Sequence, residues 1–385
     1  MSVQVTNPSP RRRPDRRLLA AAIILGLLGA GILAVVLLRP SGCRTADCRP
    51  TTRPPAPSSD ASTGSTPPPG ALKAPLQGLL DREGAPPPAF QGVIRGWVVQ
   101  ALWSDLQPTA GGPIAPDNSI DRAIAEVRRL NAATPTAPLA LKLRVYAGPE
   151  APQWAKELGG GPVTITNPQG NQAAQGALVG RFWTPEYGRA YADLQSKLAA
   201  KYDSVPELRE NVISRCALVY AESFVRLRGD RPSIDNLLAA GFTKDADRIC
   251  LQESVQAHSV WTHTRSDLQF TPYQDIEQRG PKASDEAFSD ELMSYCRDTL
   301  GPRCVLENNS LRFPPNYPEL NAKFKELGPP LSYQTATASR VGDLLQALDY
   351  GIAQGAGSIE LPGSYRQMTP EKLGAAGARL SRTAG

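Results

Sequence analysis

Leu218-Val219-Tyr220-Ala221-Glu222 is an apolar run that ends abruptly in a carboxylate. Val212, Ile213 and Cys216 extend its β-rich character upstream, which predicts a strand from Val212 to Tyr220. Before it, Pro185 to about Asp203 carries the apolar spacing of an amphipathic helix. A buried strand that follows a helix and stops at an acid is one unit of a parallel α/β sheet. The carboxyl ends of such strands are where catalytic side chains gather. A single glutamate there suits an ordinary solvated loop equally well, so the surrounding segments have to decide.

They repeat the same rhythm. Val93-Ile94-Arg95-Gly96-Trp97-Val98-Val99, continued by Ala101-Leu102-Trp103, predicts a strand entering Ser104-Asp105-Leu106-Gln107-Pro108. Ile120 to Leu130 has helical periodicity with Ser119 as its cap. Leu139 to Val145 predicts a strand that stops at Tyr146-Ala147-Gly148, and Tyr187 to Tyr202 a helix. Pro162 to Gly180 is irregular, with Val163-Thr164-Ile165 as a candidate for the third strand. Farther on, Asp245 to about Thr262 reads as a helix that holds or borders His258 and His263, followed by a short strand, Asp267 to Phe270. The helical segments Asp285 to Leu300, Tyr317 to Leu327 and Val341 to Gln354 then alternate with Cys304-Val305-Leu306, Leu331-Ser332-Tyr333 and Ser358-Ile359. Strand, polar tip, helix, strand is the grammar of an α/β fold, and the unit length favours a closed (β/α)8 TIM barrel over an open sheet.

Composition narrows the function classes. No G-x-G-x-x-G or G-x-x-x-x-G-K-[ST] stands at a strand-to-helix junction, so a nucleotide-binding sheet lacks its phosphate cradle. No G-x-S-x-G elbow is present for a serine hydrolase. With two histidines and no C-x-x-C pair, zinc is not expected, nor is any other metal or cofactor. The net charge of +5 owes much to arginines near the N-terminus, and no basic stripe interleaved with aromatics follows, so nucleic acid is not an expected partner.

The first quarter of the chain is organised differently. Arg11-Arg12-Arg13 and Arg16-Arg17 form a basic tail (residues 1–17), and residues 18–38, Leu18 to Leu38, carry no charge. That length matches the roughly 20 residues of a spanning helix. Basic residues on its N-terminal side predict a cytoplasmic N-terminus and an extracytoplasmic body held by a single-pass anchor at the cell membrane. A cleaved signal peptide is the competing reading. Residues 39–88 are rich in Pro, Ser, Thr and Gly and predict an extended, disordered stalk, which leaves residues 89–385 for the barrel. The even number of cysteines agrees with export. Cys296–Cys304 would close a short loop and Cys216–Cys250 would tie a barrel strand to a later helix, with free buried thiols as the alternative.

Three predicted strand tips carry glutamates, Glu222, Glu307 and Glu360, with Asn308, Asn309 and Gln334 beside them or in equivalent places. Trp103, Tyr146, Trp154, Trp183 and Tyr220 lie near other tips. Sugar recognition uses aromatic faces against apolar ring faces and amides or carboxylates against hydroxyls. Glycosidic cleavage needs two carboxyl groups, one protonated and one ionised.

Trp103-Ser104-Asp105-Leu106-Gln107-Pro108, Leu143-Arg144-Val145 and Ala151-Pro152-Gln153-Trp154 together resemble the W-x-x-x-x-P, strand and P-x-W progression of β-galactosidase-like barrels in clan A of the glycoside hydrolases. The helix with Leu198-Ala199-Ala200-Lys201-Tyr202 resembles the one before their fourth strand, which ends in the acid/base glutamate. The resemblance runs from about Trp97 to Glu222 and implies that Glu222 is the general acid/base. Two departures stand out: Ala221 precedes the acid where the clan has Asn, and Gln334 stands where the strand-seven nucleophile belongs. Gln cannot attack as a carboxylate. The second carboxylate is therefore Glu360 or Glu307, or hydrolysis is lost. The basic N-terminus, the Ala/Pro/Arg-rich composition and the stalk resemble a high-GC actinobacterial surface protein.

The leading expectation is thus a membrane-anchored extracytoplasmic glycoside hydrolase acting on a cell-wall or environmental carbohydrate. Glu222 and Glu360 would be its catalytic pair, with Arg144 keeping Glu360 ionised. Trp103, Trp154, Trp183, Tyr220, Glu307, Asn308 and Gln334 would line the substrate. Its rival is a catalytically inactive barrel that binds a surface glycan or a protein partner.

Overall fold

A computed structural model describes residues 71–166, 177–218, 225, 227, 230–278 and 285–380. Eight parallel strands close into a barrel. In chain order the strands of the fold are β1 (Gly78–Asp81), β2 (Ile94–Leu102), β3 (Ala140–Tyr146), β4 (Val163–Ile165), β5 (Ala177–Val179), β6 (Leu208–Val212), β7 (Arg265–Phe270), β8 (Cys304–Leu311), β9 (Leu331–Thr335) and β10 (Ser358–Leu361). The barrel runs β1-β2-β3-β6-β7-β8-β9-β10 and returns to β1. Around it lie α1 (Trp103–Leu106), α2 (Ser119–Ala133), α3 (Gln153–Lys156), α4 (Pro185–Tyr202), α5 (Arg231–Ala239), α6 (Lys244–Ala257), α7 (Glu286–Leu300), α8 (Pro318–Leu327), α9 (Leu344–Ala353) and α10 (Pro370–Leu380).

The α/β expectation is met, with three corrections. The first barrel strand, β1, lies inside the segment read as stalk: it pairs with β2 on one side and β10 on the other. Just ahead of it, Lys73 is buried at the floor and donates to the Leu208 carbonyl and to Thr264 Oγ1, both at 2.7 Å. Val163-Thr164-Ile165 is no barrel strand; it pairs antiparallel with β5 in a separate two-stranded sheet. The third barrel strand is β3. The fourth, β6, spans Leu208–Val212 and stops where the sequence predicted a strand to begin. Its polar stretch Arg209-Glu210-Asn211 hides it, because Glu210 faces other charges inside the barrel.

Helix starts follow ordinary capping chemistry. Asn118, Thr243, Asp285 and Asp343 each accept from a backbone N–H of the first turn of α2, α6, α7 and α9. Asn118, not Ser119, is therefore the cap of α2. The helix α6 ends at Ala257, and His258 begins a short 3-10 turn. There it is fully buried between Tyr191 and Ser266, and burial holds it neutral by pushing its pKa down to about 3. The disulfides Cys216–Cys250 and Cys296–Cys304 are both formed. Among the described residues no helix is long and apolar enough to cross a membrane, and the segment read as an anchor lies outside them.

Candidate active site on the barrel axis

Strand β3 builds the site through strict alternation. Leu141, Leu143 and Val145 join the hydrophobic core, while Lys142 and Arg144 fall on the opposite face, toward the axis. Register carries matching polar groups to the same level: Lys142 pairs with Glu210 of β6, Gln269 of β7 with Glu307 of β8, and Gln334 of β9 with Glu360 of β10.

Lys142 is the hub. Its Nζ lies 2.5 Å from Glu307 Oε2, 2.9 Å from Glu360 Oε1 and 3.9 Å from Glu210 Oε2, and it also contacts Asp267. All five side chains are almost completely enclosed. One level up, Arg144 Nη2 donates to both oxygens of Glu360, at 2.9 and 2.8 Å, and to Gln334 Oε1 at 2.9 Å. Gln269 Nε2 donates to Glu307 Oε2 at 2.7 Å and approaches Gln334 Oε1 at 3.4 Å. Arg144 and Gln334 retain slight exposure, 4% and 7%, so this level forms the boundary between the sealed network and the mouth.

The electrostatics separate the carboxyl groups. Burial opposes charge on Glu360, but the two cations Arg144 and Lys142 outweigh it and hold the pKa down to about 2. Among the described residues no arginine pairs with Glu307. Burial, with Asp267 and Glu360 as like-charged neighbours, pushes its pKa well above the ordinary glutamate value. Glu210 is pushed up to about 7, chiefly by burial. One glutamate held ionised beside another that holds its proton more tightly is the kind of separation that acid–base chemistry uses.

Sequence reasoning thus found Arg144, Glu307, Gln334 and Glu360, and the structure brings these four together. The other expected substrate residues lie elsewhere. Trp103 is fully buried at the start of α1, edge-to-face with Trp154 at 5.7 Å and Tyr187 at 5.4 Å. Trp154 packs partly buried beside it and donates to the Gln107 carbonyl. Trp183 packs against Phe182 and Phe242, both at 5.1 Å. Asn308 falls on the outer face of β8, where its amide donates to Asn321 Oδ1 of α8. Tyr220 and Glu222 lie outside the described residues. The chain does approach the mouth just before them: a Cβ on Gly148, after β3, would collide with the Leu218 carbonyl.

Lys142, Asp267 and Gln269 were missed. The signal was available in Ala140-Leu141-Lys142-Leu143-Arg144-Val145-Tyr146, whose period-two alternation gives one apolar face and one face carrying both cations. Among the described residues no group of acids, histidines and cysteines has the arrangement of a metal site.

No protein-family model matches the chain, and no curated protein matches it. Among solved structures, the lactosyl-enzyme intermediate of endo-glycoceramidase II from Rhodococcus sp. is similar at 12% identity over 76% of this chain and 75% of that one, with a TM-score of 0.38. Its five-membered iminocyclitol complex gives 0.43 at the same identity and coverage. Morphinone reductase in complex with tetrahydroNAD is similar at 15% identity over 79% of this chain and 86% of that one, with a TM-score of 0.42. These likenesses are of fold alone.

Proposed function

We propose that this chain is an extracytoplasmic glycoside hydrolase tethered to the cell membrane by residues 18–38, with Glu222 as general acid/base and Glu360 as the ionised carboxylate. The observation that carries the reading is the Arg144–Glu360 pair at the end of the last strand. A carboxylate kept ionised there can attack an anomeric carbon or activate a water, while a second carboxyl group protonates the leaving oxygen. Gln334, on the neighbouring strand, accepts from the same guanidinium and steadies its direction. The substrate class is a poly- or oligosaccharide of the wall or the surroundings.

A second reading, a barrel that binds a glycan without cleaving it, is favoured by a different observation. Lys142 engages Glu307 and Glu360 together, and neither carboxyl group is exposed. The two readings part in one experiment. The full-length protein and its Glu222→Gln variant are incubated with a panel of polysaccharides and wall glycans, and both binding and reducing-sugar release are measured. Release by the parent alone supports hydrolysis with Glu222 in the mechanism. Binding by both with release by neither supports the receptor.

A further inference from the structure

We propose that Glu307 is the carboxyl group of this site that stays protonated, the proton being shared toward Asp267, and that Lys142 is a positioning residue that holds the ionised carboxylates around it. The inference rests on the hydrolase reading for its catalytic meaning but on geometry for its content.

Among the described residues four carboxyl groups face the axial cluster: Glu210 from β6, Asp267 from β7, Glu307 from β8 and Glu360 from β10. Among the described residues, Lys142 and Arg144 from β3 contact this cluster, while Arg265 from the floor end of β7 and Arg209 of β6 act on Glu210. With Glu210 answered by Arg265 and Arg209, two cations, Lys142 and Arg144, face three carboxyl groups, Asp267, Glu307 and Glu360, in a water-excluded interior where an unpaired charge is several kcal/mol too costly. At least one group must therefore be neutral.

The contacts say which. Glu360 has a guanidinium on both oxygens and an ammonium on one. Glu307 has the shared ammonium and only a neutral amide, Gln269, on the same oxygen. Its other oxygen, Oε1, is buried without a hydrogen-bond donor, as is Oδ1 of Asp267. Both groups nonetheless crowd the same ammonium nitrogen, where a side-chain hydrogen bond between them would relieve their repulsion. Two carboxylates cannot make such a bond; a carboxylic acid and a carboxylate can. A proton on Glu307 gives that contact its donor and leaves Glu360 as the charged member of the pair. The direction of the shift at Glu307, upward, agrees.

The test is the infrared carbonyl band of protonated carboxyl groups, recorded on the full-length protein in deuterated buffer near neutral pH. The expected result is a band that weakens in Glu307→Gln and strengthens in Lys142→Met, because losing the ammonium forces a further carboxylate to take up a proton. Asp247, another buried acid, contributes to the band in every variant and cancels in the differences. Glu307→Gln swaps one neutral group for another and is the variant expected to fold in any case. A band untouched by Glu307→Gln overturns the proposal, as does a folded Lys142→Met whose band does not grow. The band reads protonation whether or not any sugar is released, so failure here is distinct from failure of the hydrolase reading. If hydrolysis is found, Lys142→Met should also displace the pH–rate profile, which a purely structural role would leave in place.

Discussion

Arg144 and Glu360 meet across the barrel from the third strand to the eighth, one guanidinium nitrogen serving both carboxylate oxygens at 2.9 and 2.8 Å. Around this pair, charge is sealed in with little to spare, and the consequences for stability can be read off residue by residue.

Isosteric substitutions of the two glutamates should differ sharply. Glu360→Gln leaves Arg144 and Lys142 short of a counter-charge, and breaking a buried pair in this way costs about 3–5 kcal/mol. Glu307→Gln replaces a group already neutral and should cost under about 1 kcal/mol. Urea denaturation of the two variants at neutral pH measures the difference; equal losses would contradict the assignment of charge.

Asp247 of α6 should make the protein less stable as pH rises. It is buried, neither oxygen makes a well-formed hydrogen bond, and burial lifts its pKa to about 7 despite the Tyr273 hydroxyl. The unfolded chain releases this proton near the ordinary value of 3.8, before the folded chain does. Stability is therefore unaffected below that value, falls between it and about 7, and stays low above, by on the order of 4 kcal/mol. Asp247→Asn should flatten this decline and be more stable than the parent at pH 8. Glu210 adds a decline of the same sign. A profile unchanged by Asp247→Asn would show that the carboxyl group finds water or a donor when ionised.

The disulfides should contribute unequally. Cys216–Cys250 closes a separation of 34 residues and Cys296–Cys304 one of 8. Chain-entropy arguments put their contributions at about 4 and about 2.5 kcal/mol. Thermal unfolding of Cys216→Ser/Cys250→Ser against Cys296→Ser/Cys304→Ser should show the larger drop for the first pair.

The N-terminal boundary is a direct test of the floor. A chain beginning at residue 71 keeps Lys73, Leu76 and β1 and should fold. One beginning at residue 89 loses all three, exposing the edges of β10 and β2 and the partners of Asp81, Tyr365 and Arg366. It should aggregate, as size-exclusion chromatography and circular dichroism would show.

The reading of the fold from sequence succeeded where strands are apolar on both faces or stop at a conspicuous acid, as at Leu331-Ser332-Tyr333 and Ser358-Ile359-Glu360. It failed where inward-facing charge breaks the apolar signature, as in β6 with Glu210, and where a strand is only four residues long in Pro-rich surroundings, as in β1. The tryptophans misled for a related reason. An aromatic after a strand looks like a binding platform, yet Trp103 opens a helix and turns into the core between Trp154 and Tyr187. Arg144 was found because Leu143-Arg144-Val145 is part of the stretch that carries the family resemblance. Lys142 was not, because a lysine between two leucines reads as a solvated position until the barrel closes around it.

The central claim is that Glu360 works as the ionised partner in glycoside hydrolysis, and its most direct test is the pH dependence of kcat/KM for sugar release by the full-length protein. With Glu360 held down to about 2, the account predicts that the rate does not fall as pH drops through the ordinary glutamate value of about 4.3, since the acid limb reports the group that must be ionised. An acid limb at or above that value would assign the role to another carboxylate, and no release from any glycan would contradict the hydrolase outright.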